Sequence, residues 1–435
     1  MRKEEEIDKI IKTLLDRGSN IYYLKELRSR SIELIKKDLA LKDVLYGIAS
    51  DIQNKTEMFL SSKNKYGINL ISAISSNVYL PDKENGFYKL EIVGGTTKRD
   101  NNEFVDFDTK FDLASITKLY TLILLFKLEE LGLIDLNARV KDINPDFKYL
   151  EDYTLNDLVR LHGILRTNGN IATCNSYEEA YETFKTLYLV DPTRNKNTYT
   201  DFGAMALGDT VEKVVSKYLN EELKLDEIMN RYLFTPLGLN GTTYRPGTIN
   251  VTGNNNDLGL PHDPKARALL GVCAHAGLFS TGDDIIKLSD GLIDGSYLTK
   301  KSIDRLGEIT FDYSSKGNLG VYVKHPNGWE LTYTAPEFST GSFSHQGWTG
   351  GVASFDPNNK IHNSILVNAI YDSPNEEEVV NNKPVGYKYY FSFYQSEITK
   401  KIMLMDVIKE YYNKYIGVKE NIEDKRIILK KNPIN

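Results

Sequence analysis

The sequence predicts an α+β protein in which an antiparallel sheet, built from both ends of the chain, is flanked by helices and interrupted by a helical insert. Two observations predict it. Runs with strand character occur near residues 68–94 and return only at 320–370, while the chain between, to about residue 310, reads mostly as helix and long loop. With 435 residues, 41% of them hydrophobic and 26% charged, the chain can bury the sizeable core this arrangement needs.

Each element follows from local pattern. Ile7, Ile10, Ile11, Leu14 and Leu15 stand at helical spacing over residues 4–17, and Gly18-Ser19-Asn20 ends that run. A second helix of mixed charge is expected from Tyr23 to Leu41, so residues 1–41 form a helical extension packed on the same chain. Ile68 to Leu80 and Phe87 to Gly94 read as strands joined by a turn from Pro81 to Gly86. The apolar run Leu119 to Phe126 predicts a buried helix, and Tyr153-Thr154-Leu155 opens another. Strand character returns at Gly320 to Val323, Trp329 to Thr334, Gly351 to Phe355 and Ile365 to Ile370. Ile398, Ile402, Met405 and Ile408 predict a last helix over about Ser396 to Tyr415. The main domain is expected over 42–385, with its helical insert at about 125–310, and residues 386–435 supply that helix and a basic tail.

Composition excludes several classes. A net charge of -6 argues against nucleic acid as a partner, because phosphate binding wants a basic face. Two cysteines are too few for a disulfide framework, and the six histidines show no metal-ligand spacing, so neither metal nor cofactor is expected. The charged opening Met1-Arg2-Lys3-Glu4 has no apolar signal core, and Lys127, Glu129 and Glu130 interrupt the greasy stretch Leu119 to Ile134, so no membrane span is expected. A cytoplasmic protein is the expectation.

The chemistry begins at Ser115-Ile-Thr-Lys118, ahead of the apolar helix. A serine three residues before a lysine shares a helix face with it. Burial disfavours the charged form of an amine, so a lysine sunk there can serve as the base that a weak serine nucleophile needs. A second Ser-x-x-Lys, Ser62 to Lys65, lies in a polar turn and reads as surface. Two further segments follow in order: Tyr199-Thr-Asp201 ahead of the helix start at Phe202, and His345-Gln-Gly347-Trp348 running into the strand at Gly351.

This ordered trio resembles the serine β-lactamase and penicillin-binding-protein superfamily, most of all the branch holding class C β-lactamases and related esterases. Pro236-Leu-Gly-Leu239, His262-Asp-Pro-Lys265 and Ala274-His-Ala-Gly-Leu-Phe-Ser-Thr281 also read like that family, over residues 68–385. The resemblance implies a β-lactamase/transpeptidase-like fold. It implies that Ser115 attacks a carbonyl, that Lys118 and Tyr199 form the general-base pair, and that backbone N–H groups of Ser115 and Trp348 hold the oxyanion.

Two departures bear on the substrate. Penicillin-processing members carry a lysine where this chain has His345 of His345-Gln-Gly347, and histidine is mostly neutral near pH 7. Asp201 stands where the family has asparagine, and a carboxylate favours a protonated Lys118. Both favour esters or amides without a free carboxylate. His345 would gain charge and attract carboxylates as pH falls toward about 6. His162, in Leu161-His162-Gly163, reads as a structural helix-end histidine. The expected function is a serine hydrolase acting through an acyl-enzyme on a small ester, amide or short peptide, as an esterase, amidase or D-amino-acid peptidase with weak β-lactamase activity at most. The alternative is a penicillin-binding-like sensor on the same scaffold that does not turn over.

Overall fold

Helical spacing of apolar residues sets the N-terminal layer. In the computed structural model, which describes residues 2–82, 86–99, 103–190, 197–254, 257–311, 316–324, 337–418 and 422–429, α1 (Arg2–Asp16) buries Ile7, Ile10 and Leu14. The Asn20 side chain accepts from the Tyr22 N–H and starts α2 (Ile21–Ile35), which stops short of the expected Leu41. A third helix that the sequence reading did not anticipate, α3 (Leu41–Leu60), buries Leu41, Val44, Leu45, Ile48, Ile52 and Phe59. Its N-cap is Ala40, which offers no side-chain acceptor, so the usual start signal is missing there.

Two long strands follow, β1 (Ala73–Asp82) and β2 (Gly86–Gly95), paired antiparallel from Ala73↔Gly95 to Asp82↔Gly86. The chain then enters the helical middle, where α4 (Thr117–Glu130), α5 (Asp201–Leu219) and α6 (Gly282–Ile293) are the longest elements. It returns to the sheet through β3 (Tyr322–Val323), β4 (Phe343–Gln346), β5 (Val352–Asp356) and β6 (Ile361–Asn368). The expected strand Trp329 to Thr334 lies outside the described residues. After the sheet, α7 (Tyr387–Tyr411) begins nine residues before the expected Ser396, because Tyr387, Phe391 and Tyr394 extend the buried stripe toward its start. The tail adds a strand of its own, β7 (Lys425–Leu429).

The seven strands lie in the order β7-β2-β1-β6-β5-β4-β3. Every pairing is antiparallel except β7, which runs parallel to β2 with Ile427 opposite Ile92. Each face of the sheet meets a separate apolar layer. One core joins Ile74, Val78, Leu90, Ile92 and Ile365 to α1, α2, α3 and α7, where Phe59 stacks on Tyr394 at 4.7 Å. The other joins Val93, Ala353 and Phe355 to α4, α5 and α6. Helix α4 is buried on all sides from Thr117 to Phe126. No described helix is long and apolar enough to cross a membrane. The architecture is the mixed α+β, largely antiparallel sheet flanked by helices that the sequence predicts.

Candidate active site

The turn before α4 is built by Asp112. Its carboxylate accepts from the Ala114 N–H at 2.8 Å and from the backbone and Nδ1 of His262 at 2.7 and 2.9 Å. Ala114 is held at φ +43°, a left-handed conformation that a non-glycine residue adopts at a cost of order 1–3 kcal/mol. The next residue is Ser115. It sits in a single 3₁₀ turn, Ala114–Ile116, with α4 itself starting at Thr117 rather than at the serine. Lys118 is one turn on, fully buried, with Nζ 3.0 Å from Ser115 Oγ.

Lys118 donates in two further directions, to Asp201 Oδ1 at 2.8 Å and to the His275 carbonyl at 3.1 Å. An ammonium has three N–H donors and no acceptor, so all three are spent. Burial works to lower the pKa of this amine. The Asp201 carboxylate and Tyr199 outweigh burial, and the lysine is held above its ordinary value. Of the two expectations for Lys118, a base left neutral by desolvation is corrected, and an amine kept protonated by the Asp201 carboxylate is what the ion pair gives. Burial likewise works to raise the Asp201 pKa, and Lys118, His275 and Lys265 together hold it well below the usual carboxylate range.

Asp201 is placed by α5, of which it is the first residue, where the helix dipole favours a negative charge. The preceding Thr200 caps the helix by accepting from the Phe202 N–H. That cap fixes Tyr199, whose ring centroid lies 5.2 Å from Lys118 Nζ and 6.4 Å from the His345 ring. Gly320, at φ +78°, lies against the same ring: a Cβ there would fall 2.3 Å from Tyr199 Cδ2.

On β4, His345 is buried, and its Nδ1 donates to the Gln346 carbonyl at 2.9 Å. Burial, with smaller contributions from the Lys118 and Lys316 charges, pushes its pKa down to about 3. The expectation that His345 would charge near pH 6 is corrected, because the imidazole stays neutral there. Gly347 packs so closely on the Ser115 turn that a Cβ would sit 2.6 Å from the Leu113 carbonyl. Thr349 Oγ1 donates to the Asp112 carbonyl at 2.8 Å and ties this loop to the same turn. The Trp348 ring is 39% exposed, with Lys383 Nζ 5.2 Å from its centroid. His162 is bonded through Nδ1 to Asp157 Oδ1 at 2.8 Å, just past the helix Leu155–Val159, as a structural helix-end histidine would be.

The structure thus gathers Ser115, Lys118, Tyr199, Asp201, His345, Gly347 and Trp348 around one turn. It also adds residues that carried no expected role. Lys265 Nζ reaches Asp201 Oδ2 at 3.0 Å, and Asp263 Oδ1 meets His275 Nε2 at 2.9 Å. Their only signal in the sequence was membership of the His262–Lys265 and Ala274–Thr281 phrases. Asp201, Asp263 and His275 present ligand atoms within 4.8 Å of one another. With two lysine ammonium groups already on Asp201, that cluster suits fixed ammonium charge better than a metal cation. Lys316, 4.7 Å from the Tyr199 ring, had no motif to announce it.

The family model described as β-lactamase matches residues 84–382. A putative D-alanyl-D-alanine carboxypeptidase of Salmonella agona (strain SL483) is 29% identical over 312 residues, covering 60% of this chain and 69% of its own. An N-acetylmuramyl-L-alanine amidase of Bacillus subtilis (strain 168) is 28% identical over 306 residues, covering 60% and 68%. A class C β-lactamase solved with cefoxitin aligns with a TM-score of 0.58 at 14% identity, over 82% of this chain and 99% of that one, which is a likeness of fold. With the match running from β2 to beyond β6 and enclosing the whole Ser115 cluster, the chain belongs to the β-lactamase family of serine hydrolases.

Proposed function

We propose that this hydrolase cleaves a small ester, amide or short peptide through an acyl-enzyme on Ser115, as an esterase, amidase or D-amino-acid peptidase, with β-lactams hydrolysed weakly at most. The observation that carries this reading is the 3.0 Å contact of Ser115 Oγ with an ammonium, Lys118, that is itself ion-paired to Asp201. That ammonium has no lone pair with which to take a proton. Its part is to orient the serine and to meet negative charge developing nearby. Tyr199 then relays the proton: its oxygen takes the Ser115 proton as Oγ adds to the carbonyl, while its own phenol proton passes to the leaving group as the acyl bond breaks. Water attacks the acyl-enzyme by the same exchange and restores Ser115. The oxyanion falls to the backbone N–H groups of Ser115 and Trp348.

The names of the two relatives, a carboxypeptidase and an amidase, support an amide or peptide end as the substrate. The neutral, buried His345 supports weak lactam hydrolysis, because the strand supplies no cation for a rigidly placed carboxylate. A fluorophosphonate probe is expected to label the protein, and Ser115→Ala to abolish the labelling. Labelling that survives the substitution sinks the reading. The spent donors of Lys118 also favour a second reading, a protein that acylates and does not deacylate. Repeated turnover of p-nitrophenyl esters separates the two, since the second reading gives one stoichiometric burst.

A further inference from the structure

Lys316 is a charged group beside the Ser115 site with no acidic partner among the described residues. Its ammonium lies 4.7 Å from the centre of the Tyr199 ring and 5.0 Å from that of Tyr322. Tyr322 is tied to the His345 strand, because Gln346 Nε2 donates to its hydroxyl at 3.0 Å. Two other cations of the site are compensated: Lys118 and Lys265 share Asp201. Lys316 has no carboxylate and no side-chain hydrogen bond among the described residues, and it is only partly open to water. A half-buried ammonium flanked by two aromatic faces has lost hydration that rings restore only in part. Burial accordingly pushes its amine down from the ordinary lysine value, with no acidic neighbour among the described residues pushing back.

We propose that Lys316 is the anion-binding residue of the substrate cleft and selects substrates whose leaving group ends in a free carboxylate, such as an acyl-D-amino-acid with an unblocked C-terminus. The inference rests on the Ser115 acyl-enzyme reading and sharpens it. The strand position His345 provides no charge and by itself favours substrates without a free carboxylate; the residue that reverses that preference comes from the segment preceding β3. A linear leaving group can rotate its carboxylate toward Lys316, between Tyr199 and Tyr322. A fused lactam fixes its carboxylate relative to the scissile carbonyl and cannot follow the displaced charge. Carboxylate recognition and weak lactam hydrolysis then have one cause.

The test compares two thioesters that differ in one charge: an N-acyl-D-alanyl thioglycolate and its methyl ester, with thiol release as the readout. Wild type is expected to favour the free carboxylate by about tenfold or more in kcat/KM, the scale of one charge-assisted contact. Lys316→Met should erase that preference, chiefly through KM, and Lys316→Arg should keep most of it. An equal fall with both thioesters would make Lys316 a partner of Tyr199 and overturn the proposal. So would an unchanged ratio, or no thiol release from the carboxylate substrate by protein that a fluorophosphonate labels at Ser115. Loss of the serine-hydrolase reading has a separate sign, labelling that persists in Ser115→Ala.

Discussion

At the scale of single residues, the site turns on how one buried lysine spends its protons. Because all three Lys118 donors are engaged, Tyr199 is left to move the serine proton, and Tyr199→Phe should lower kcat on p-nitrophenyl esters by about 10²–10⁴-fold. Near-native turnover by that variant would return the base role to Lys118. Asp201→Asn tests the other half of the pair. Without the carboxylate, burial dominates and Lys118 loses its proton closer to neutrality, so Ser115 labelling should acquire a rise with pH between about 6 and 9 that wild type lacks. The same change leaves a buried ammonium short of its partner and should cost about 3 kcal/mol in urea unfolding. An unchanged pH profile would mean that Asp201 does not set the lysine's charge. His345 stays neutral well below pH 6, so the preference between a neutral ester and nitrocefin should be flat from pH 5 to 8; a shift centred near 6 would contradict its burial. The serine, lysine, tyrosine and histidine were legible because spacing and order carry them. The lysine's charge was legible only through Asp201, whose carboxylate favours the protonated amine; Lys265, Asp263 and His275, which gather around Asp201, arrive from more than 60 residues beyond it and gave no signal of that role.

At the scale of elements, legibility followed whether a pattern was local. α1 and the buried α4 could be read from spacing alone, and β1 and β2 from two runs around a turn. α3 escaped because its start has no polar cap, although its apolar positions repeat every three or four residues. β7 escaped because a strand that joins a sheet edge from some 330 residues away gives five residues and no turn to mark it. Its contribution can be measured. Arg426 of β7 bonds Glu91 Oε2 at 2.8 Å, and Glu91 is fully buried in β2, its carboxyl raised by burial. Arg426→Ala strands that carboxylate. Since the arginine is half exposed, the loss should be roughly 1–3 kcal/mol, below the cost of breaking a fully buried pair. Urea unfolding at pH 7 checks it, and a loss under about 0.5 kcal/mol would show that β7 adds backbone pairing only.

Across the whole molecule, two apolar cores share one sheet, and the active-site cluster lies on the side away from α1, α2 and α7. The helical layer opposite carries a buried acid of its own. Glu337 is 2% exposed, neither carboxyl oxygen finds a side-chain hydrogen-bond partner among the described residues, and it faces Tyr23 and Glu26 of α2 and Lys400 of α7. Burial pushes its pKa to about 7, against about 4.3 for a free glutamate. Its folded-state pKa is thus raised, so the native state holds a proton that the unfolded chain has released between those values. The resulting contribution is fully present below about pH 4 and is lost as pH rises through 7. Glu337→Gln has no such proton to lose. The fit of the amide relative to the acid sets a constant offset, and only the glutamate's contribution changes with pH. The stability of Glu337→Gln relative to wild type should therefore climb between pH 4.5 and 8, by at most about 3 kcal/mol from a shift of this size. Urea unfolding of both proteins at the two pH values gives the difference directly. A constant difference would mean that Glu337 is hydrated in solution and that the α2–α7 layer is looser than its packing implies.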